Sequence, residues 1–551
     1  MSNDVDFIDL SSHVGANSVI VPMSKGRIAA WTYKLAILAS TVVVFVLTIG
    51  PWPSMLAPVS SISLFAVLSP VAAQAAVDLD WHAPAETDIN NITQVLSTSG
   101  VYGFIFNSSD TGKNPYGTYN WCNMPHARKT EYPIPSSSEL TLKYVEVIQR
   151  HHKRTPYASN AFPVEPYRWD CDDQGLFYYG QHLPTDSGRG SSAYTYWDVF
   201  NSSVNPFTPS GWIGSCQFPQ ITSGGLDDSW VHGADLYGVY HDLLAFLPDK
   251  ASDWQSKVKF RVTNNQITSQ VAGMLIAGMW GSASQNVPLL VQASTIDSLE
   301  PTYTCTAGSD LFNSIKSSDN PAWANHLAQA ADLYEALDAV SGVPASDSGF
   351  HSWFDHYYDN LSARQCHSKP LPCNATTGEC ITQEQANSVY RLGLWEYSQI
   401  YRDAEDSLAV SVSTYGVWIA ELAAHLRAAV SGMSAIDYWH NVAHDGSLSR
   451  LLSILQIDEM VWPGMGSEVI FELWEGKTNS TNLYTENDHK RSSRSNTGHY
   501  IRVLFGGQVM RSSNPSLGLL DMLPVDTLLS YFDGLVGENA NLIKGKCENS
   551  D

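Results

Sequence analysis

The stretch YVEVIQRHHKRTP, residues 144–156, decides how the rest of the chain is interpreted. Its first part, Tyr144–Ile148, has the β-branched and aromatic bias of a buried strand. Its second part, Arg150–Pro156, places two arginines, one lysine and two histidines within seven residues. Because the ligands of open α/β sheets bind at the carboxyl ends of strands, this basic cluster predicts an anion-binding site at a strand end.

The basic cluster contrasts with the charge of the whole protein. The 551 residues include 31 lysines and arginines against 55 aspartates and glutamates, for a formal net charge of −24. Nucleic acids and anionic membranes attract extended basic surfaces, which this composition does not supply. We therefore expect no nucleic-acid partner, and a small anion as the ligand.

Three later segments follow the basic cluster, and their order along the sequence helps to identify the fold. Ala443-His444-Asp445 comes before a leucine-rich run, and Ser467–Glu475 and Tyr500–Leu504 have the composition of strands. Together with residues 150–156, which are compatible with the signature RHGxRxP at six of seven positions, they resemble the histidine acid phosphatases. This family is the secreted branch of the histidine phosphatase superfamily, which also includes phytases and phosphoglycerate mutase-like proteins.

The resemblance implies the fold class: α/β, with a Rossmann-like doubly wound sheet, helices on both faces and an inserted α-helical lobe. We expect a split α/β domain over residues 81–310 and 433–551, with the lobe over residues 311–432. Apolar spacing of three and four predicts helices over 233–247, 321–340, 348–364, 383–402 and 408–430. A strand over 257–261 and a helix over 266–280 complete one βα unit.

The resemblance also implies the roles of the site residues. His151 would be the nucleophile that forms a phosphohistidine, and Asp445 would protonate the leaving group. Arg150, Arg154 and His444 would bind the phosphate, since a planar guanidinium matches two oxygens at once. A carboxylic acid in this role implies an acidic pH optimum, and the arginine charges are expected to lower the pKa of His151.

Two positions depart from the family pattern. His152 stands where the family has a glycine, and Ile267 stands where it has a third phosphate-binding arginine. Arg261 is a candidate replacement for that arginine, and the alternative is that it pairs with carboxylates. Losing one such contact to phosphate costs roughly 1.5 to 3 kcal/mol. These departures motivate an alternative function, a catalytically weak or inactive glycoprotein that binds phosphate, sugar or protein partners.

Other polar residues near these motifs have simpler interpretations. The dipeptide His241-Asp242 repeats His444-Asp445, but it lies near the end of a predicted helix, where a histidine and an aspartate serve the helix itself. We therefore favour His444-Asp445. Lys153 is expected to be solvated, and Glu468 and Glu472 are expected to belong to a strand edge or a core network rather than to the chemistry.

No cofactor is implied by the resemblance, and the sequence contains no H-E-x-x-H, P-loop or G-x-G-x-x-G motif. The even number of cysteines, eight, fits an oxidising compartment and up to four disulfides, whose pairing stays open. Cys366, Cys373 and Cys380 are spaced by seven, which is not the spacing of zinc ligands. We interpret them as a disulfide-bonded loop.

The amino-terminal region predicts a membrane-targeting element. Residues 1–34 form a polar tail, and residues 35–77, which carry no charge, follow Lys25, Arg27 and Lys34. This positive flank predicts a cytosolic tail and an extracytoplasmic catalytic domain. The segment is a signal-anchor or, with cleavage near Ala75, a long signal that yields a secreted protein. Six Asn-x-Ser/Thr sequons follow it, at Asn91, Asn107, Asn201, Asn360, Asn374 and Asn479.

The predicted function is therefore an extracytoplasmic phosphomonoester hydrolase of the acid phosphatase type. Its substrate would be a small-molecule phosphomonoester, and the membrane would be a partner only through an uncleaved amino-terminal segment. The sequence leaves open which phosphomonoester is hydrolysed and whether the protein forms an oligomer.

Overall fold

A computed structural model describes residues 76–103, 115–137, 139–164, 168–173, 199–200, 204–207, 214–281, 286–477 and 497–548. The predicted cytosolic tail and residues 35–75 of the targeting segment lie outside the described residues, as do the sequons at Asn107, Asn201 and Asn479. Everything below concerns the described part of the chain.

One mixed sheet organises these residues. Its strands are β1 (Thr141–Arg150), β2 (Val258–Val262), β3 (Leu289–Leu290), β4 (Tyr438–Ala443), β5 (Glu468–Lys477), β6 (Thr497–Phe505), β7 (Gln508–Val509) and β8 (Leu523–Pro524). The order is β3-β2-β4-β1-β5-β6-β7, with β8 also paired to β6. The pairs from β3 to β1 are parallel, whereas β5 to β8 pair antiparallel. The predicted strands that surround the basic cluster are confirmed.

The helices are α1 (Ile92–Ser97), α2 (Ser223–Tyr237), α3 (Gln266–Trp280), α4 (Thr306–Ile315), α5 (Pro321–Gln329), α6 (Ala331–Ser341), α7 (Ser348–His351), α8 (Asp355–Cys366), α9 (Gln383–Ser398), α10 (Ser407–Val430), α11 (Asp445–Ile454), α12 (Val525–Val536) and α13 (Ile543–Glu548). Two π-helical segments, Gly238–Leu243 and Gln399–Asp403, extend α2 and α9. Side chains cap the starts of several helices: Asn265 accepts a hydrogen bond from the backbone N–H of Ile267 at α3.

Both faces of the sheet are covered. Strand β1 alternates between them, because Val145 and Val147 belong to the core cluster that holds residues of α2 and α3. Tyr144 and Ile148 belong to the larger cluster that holds residues of α10, α11 and α12. Side chains of a strand point alternately to opposite faces, so burial on both sides explains why apolar residues occupy both faces of β1. The predicted sheet with helices on both faces is confirmed.

Several predicted helix boundaries differ from the structure. The helix predicted to begin at Gly233 begins at Ser223, where the Thr222 hydroxyl accepts from the backbone of Gly225. The pattern over 321–340 is two helices that meet at Ala330. Helices α4 to α10 occupy the segment between β3 and β4; the division into a split α/β domain and a lobe over 311–432 stays a prediction.

All eight cysteines are paired. The bridges are Cys122–Cys366, Cys171–Cys216, Cys305–Cys547 and Cys373–Cys380. The interpretation of residues 366–380 as one disulfide-bonded loop holds for the last pair, whereas Cys366 connects α8 to the loop before β1.

Two further predictions about the secretory pathway can be compared with the described residues. Asn360 is completely buried, and its amide donates to the backbone oxygen of Asn160, so this sequon offers no glycan acceptor in the folded protein. Among the described residues one helix, α10, is long and apolar enough to cross a membrane. Because 72% of its apolar window is buried in this fold, α10 is accounted for as a core helix.

Candidate active site

The basic cluster and the His-Asp pair meet at the carboxyl ends of neighbouring parallel strands. Arg150 is opposite Ala443 in the ladder between β1 and β4, and the backbone N–H of His151 donates to the oxygen of Ala443 at 3.0 Å. The rings of His151 and His444 are consequently 5.4 Å apart between centroids. The sheet topology thus brings together two motifs that are almost 300 residues apart in the chain.

His151 is held with one ring nitrogen engaged. It is 1% exposed, and its Nδ1 lies 3.0 Å from the backbone oxygen of His152, which assigns the proton to Nδ1 and leaves the lone pair on Nε2. Burial lowers the pKa of His151 well below its ordinary value, and the charges of Arg154 and Arg150 lower it further. The expected direction of the shift is correct, but burial contributes more to it than the arginines do.

Asp445 opens α11 and faces Arg150. Its Oδ2 lies 3.0 Å from Nη2 of Arg150 and accepts a hydrogen bond of 2.9 Å from the indole of Trp462. Burial alone would raise the pKa of Asp445, but the charge of Arg150 and the Trp462 hydrogen bond outweigh it, and the pKa is lowered. Asp445 is therefore ionised in the free protein, whereas a proton donor must be protonated when it acts.

Arg154 has its own carboxylate. Its Nη1 donates to Asp359 of α8 at 2.9 Å, and its guanidinium lies over the ring of Tyr157 at 4.2 Å. Asp359 also accepts from the backbone of Tyr157 and from the amide of Asn160. The buried Nε atoms of Arg150 and Arg154 have no acceptor among the described residues, so both guanidinium groups retain a donor for phosphate oxygens.

His444 completes the set. Its Nε2 lies 2.9 Å from the Thr263 hydroxyl and 3.5 Å from a carboxylate oxygen of Glu300. Arg150, Arg154 and His444 therefore each face one carboxylate, from Asp445, Asp359 and Glu300 respectively. An incoming phosphate therefore meets groups that already have carboxylate partners, and the charges of Arg150 and Arg154 are partly compensated.

The two residues considered for a third phosphate contact, Ile267 and Arg261, both have partners within the protein. Ile267 is fully buried in an apolar cluster with Val262 and Val442. Arg261 donates to Glu421 at 2.7 Å, and its Nη2 lies 3.4 Å from Asp297. These contacts are the carboxylate pairing that was the alternative interpretation of Arg261, and a role on phosphate stays a prediction.

Other polar residues are placed as follows. Lys153 is not solvated: it is 4% exposed and pairs with Asp228 at 2.9 Å. The rival His241 is partly exposed and contacts Asp242 and Asp249. Glu472 lies in a buried network with Arg502, as expected of a core residue.

Three acidic or aromatic residues of the site were missed by the sequence analysis. Asp359, Glu300 and Trp462 reach the motif from α8, from the segment before α4 and from the loop before β5. Each is separated from its partner by a long stretch of chain or lies in an irregular segment, so no local pattern marks it. Among the described residues no group of histidine, cysteine, aspartate and glutamate side chains is arranged to hold a metal ion.

Comparison with known proteins gives two sequence relatives. Counting factor 60 of Dictyostelium discoideum is 27% identical over 367 residues, covering 64% of this chain and 80% of the relative. The 2-phosphoxylose phosphatase 1 of Danio rerio is 22% identical over 421 residues, covering 71% of this chain and 77% of the relative. No family profile matches the chain.

Among solved structures, the apo phytase of Hafnia alvei aligns with a TM-score of 0.46 at 12% identity, over 74% of this chain and 99% of that chain. The sequence similarity to a phosphatase runs through most of the chain, and the basic cluster and the His-Asp pair meet at one sheet edge. On these grounds, the chain is similar to a phosphatase, and the two motifs that resemble those of the histidine acid phosphatases lie together at the candidate site.

Proposed function

We propose that the protein hydrolyses phosphomonoesters through a phosphohistidine on His151, with Asp445 as the proton donor. One observation carries the proposal: the His151 ring is neutral with its lone pair on Nε2, lies beside the His444 ring, and is close enough to Arg150 and Arg154 for their charges to lower its pKa. Phosphoryl transfer needs cations on the nonbridging oxygens, an in-line nucleophile and a proton for the leaving oxygen. These residues supply each of them.

The first step forms a bond from Nε2 of His151 to phosphorus and breaks the bond from phosphorus to the ester oxygen. Asp445 gives its proton to that oxygen, which leaves as the alcohol. In the second step water attacks the phosphohistidine, Asp445 takes a proton from the water, and His151 is restored as inorganic phosphate forms. Asp445 therefore gives up one proton in the first step and regains one in the second.

Binding of phosphate itself prepares Asp445 for this role. In the free protein Arg150 is the main attractive charge that lowers the pKa of Asp445. A phosphate that takes over the Arg150 guanidinium adds negative charge beside the carboxylate and removes part of its compensation, so both changes raise the pKa of Asp445. Substrate binding is thereby coupled to uptake of one proton, which favours turnover in acidic medium.

The surroundings of the site support an extracytoplasmic location. All eight cysteines are paired in four bridges, and such bridges form in oxidising compartments. We propose that residues 35–77 direct the chain into the secretory pathway, either as a retained anchor or as a signal cleaved near Ala75. The name of the Danio rerio relative makes sugar phosphates the first natural substrates to test.

The test is hydrolysis of p-nitrophenyl phosphate between pH 3 and 8 by the protein purified from a eukaryotic secretory host. We expect an acidic optimum and complete loss in His151→Ala, with His241→Ala as a matched control that keeps wild-type rates. Absence of turnover by the folded wild type, on this substrate and on sugar phosphates, would overturn the proposal.

The compensated cations and Ile267 favour the second candidate, a weak or inactive protein that binds phosphate, sugar or protein partners. Saturable binding of orthophosphate without turnover, weakened in Arg154→Lys, would support that candidate instead.

A further inference from the structure

Behind His151, a row of buried side chains, His152, His232 and Glu468, leads away from the site. Nε2 of His152 lies 3.2 Å from Nδ1 of His232 in α2, and Nε2 of His232 lies 2.8 Å from Glu468 at the start of β5. The other oxygen of Glu468 accepts from the backbone N–H of Ala127 at 2.6 Å. All three side chains are completely buried, and none of them takes part in the chemistry proposed above.

The ring of His152 packs closely against Gly466. A Cβ added to Gly466, whose φ is +73°, would lie 2.4 Å from Cε1 of His152. The backbone N–H of Gly466 donates to the oxygen of His151 at 3.0 Å. The loop before β5 therefore lies directly on the His152 ring while it holds the peptide that joins His151 to His152.

The hydrogen bonds that join His152, His232 and Glu468 have a defined direction. Burial lowers the pKa of His152 well below its ordinary value and that of His232 to about 3, so both rings are neutral. Burial raises the pKa of Glu468 to about 7, so in acidic medium its carboxyl donates to Nε2 of His232, and Nδ1 of His232 in turn donates to Nε2 of His152. Nδ1 of His152 is then a buried atom without a hydrogen bond among the described residues.

This row of hydrogen-bonded side chains acts on His151 through one atom, the backbone oxygen of His152. The backbone oxygen of His152 accepts the Nδ1 proton of His151, at 3.0 Å. This bond selects the tautomer in which Nε2 of His151 carries the lone pair. Rotation of the His152 peptide would weaken the bond, and the fixed side chain of His152 opposes that rotation. The side chain of His152, at a position where the family has glycine, would thus fix the orientation of this peptide.

We propose that His152 is a positioning residue: pinned by His232 and Glu468, it holds the carbonyl that sets the tautomer and direction of the His151 ring. This inference rests on the proposed function, because it concerns the nucleophile of that reaction. It also makes His232, on a separate helix, a determinant of the reaction rate.

Two substitutions of one residue separate positioning from mere support. In His232→Asn the amide group takes the place of Nδ1, so the variant keeps the hydrogen bond with His152 and loses the contact with Glu468. In His232→Gln the amide group takes the place of Nε2, so the variant keeps the contact with Glu468 and loses the one with His152. Each removes one buried hydrogen bond, and we expect similar losses of thermal stability.

The expected result is a split in kcat. His232→Gln lowers kcat about tenfold with KM within about twofold of wild type, because a displaced nucleophile affects the reaction more than the binding. His232→Asn retains most of the wild-type kcat. Equal losses of kcat in the two variants, or a wild-type kcat in His232→Gln, would overturn the inference.

A second measurement does not depend on turnover. In protein labelled with ¹⁵N at histidine, the ring signals of His151, identified by their absence in His151→Ala, report which nitrogen carries the proton. We expect the Nδ1–H form in wild type and in His232→Asn, and a mixture of both forms in His232→Gln. If wild type lacks activity, the proposed function fails, and the inference about position is still decided: an unchanged tautomer in His232→Gln would reject it.

Discussion

The two sides of His151 are built on different physical principles. On the substrate side, Arg150, Arg154 and His444 each face a carboxylate within 3.5 Å. On the opposite side, His152 and its partners form a row of neutral, completely buried rings that ends on one carboxyl group. One side is made of charges that can be redistributed, and the other is made of hydrogen bonds with fixed directions.

This difference teaches what each side controls. Charges on the substrate side have protein partners that an incoming phosphate must replace, so that side responds to the ionisation of the substrate and to pH. Side chains behind the ring lose a buried hydrogen bond whenever one is removed, so that side responds to shape and to the identity of donors and acceptors. Substitutions on the two sides should therefore change different measured quantities.

The largest effect is expected for Asp445→Asn. Loss of a general acid should lower kcat roughly 10² to 10³-fold on an alkyl phosphate, whose leaving group needs a proton. The loss should be smaller on p-nitrophenyl phosphate, because its leaving group departs as a stable anion. Steady-state kinetics with both substrates tests this, with Asp242→Asn of the exposed His241-Asp242 pair as a silent control. Equal losses on the two substrates would contradict the role of Asp445.

The next effect concerns Glu468 on the opposite side. Burial raises the pKa of Glu468 to about 7, so the folded state holds a proton that the unfolded state releases near pH 4.5. The resulting stabilisation is complete below pH 4.5 and is lost as the pH rises towards 7; it amounts to about 3 kcal/mol. The unfolding free energy of wild type minus that of Glu468→Gln should fall by this amount across the interval in urea titrations. A flat difference would mean that Glu468 stays ionised throughout.

A third comparison sets Arg154 against Arg261. Arg154→Lys keeps a charge for Asp359 but loses the planar fork, which should lower kcat/KM about ten- to a hundredfold, or roughly 1.5 to 3 kcal/mol. Arg261→Lys can retain the pair with Glu421 and should leave kcat/KM within about threefold. If Arg261→Lys matches the loss in Arg154→Lys, Arg261 is a third phosphate ligand.

The smallest effect is one of packing. Gly466→Ala places a methyl group against His152 and should destabilise the fold by about 1 to 3 kcal/mol more than the backbone strain alone. Gly432→Ala is the matched control, because its φ is +68° and nothing lies within 4 Å of the added Cβ. Thermal unfolding measures both. The double variant His152→Gly with Gly466→Ala should recover the excess, and failure to do so would place the clash elsewhere.

The parts of this fold that sequence predicts are those with local causes. Strand β1 is recognisable because both its faces are buried, so apolar residues occupy both faces and only Glu146 interrupts the stretch from Tyr144 to Ile148. The unit of β2 and α3 follows from a short β-branched run and a capping asparagine, Asn265. The meeting of the basic cluster with His444-Asp445 comes from the family resemblance rather than from any pattern in the residues.

The remainder depends on distant contacts. Asp359 pairs with Arg154 at a sequence separation of 205 residues, and His232 contacts Glu468 at a separation of 236. The spacing of apolar residues along the sequence does not indicate such long-range pairs. The helix predicted from Gly233 begins ten residues earlier because Ser223–His232, although rich in glycine and polar residues, packs against α3 and the cluster behind the nucleophile. Tertiary packing outweighed the intrinsic preferences there.

The disulfide pattern has a consequence for how the protein is made. Cys122 pairs with Cys366 and Cys305 pairs with Cys547, so the two covalent loops interleave along the chain instead of following one another. A chain that enters an oxidising compartment amino end first exposes Cys122, Cys171, Cys216 and Cys305 before either distant partner arrives. Non-native pairings are therefore open to these four thiols until Cys366 and Cys547 follow, and a disulfide isomerase would favour the native set.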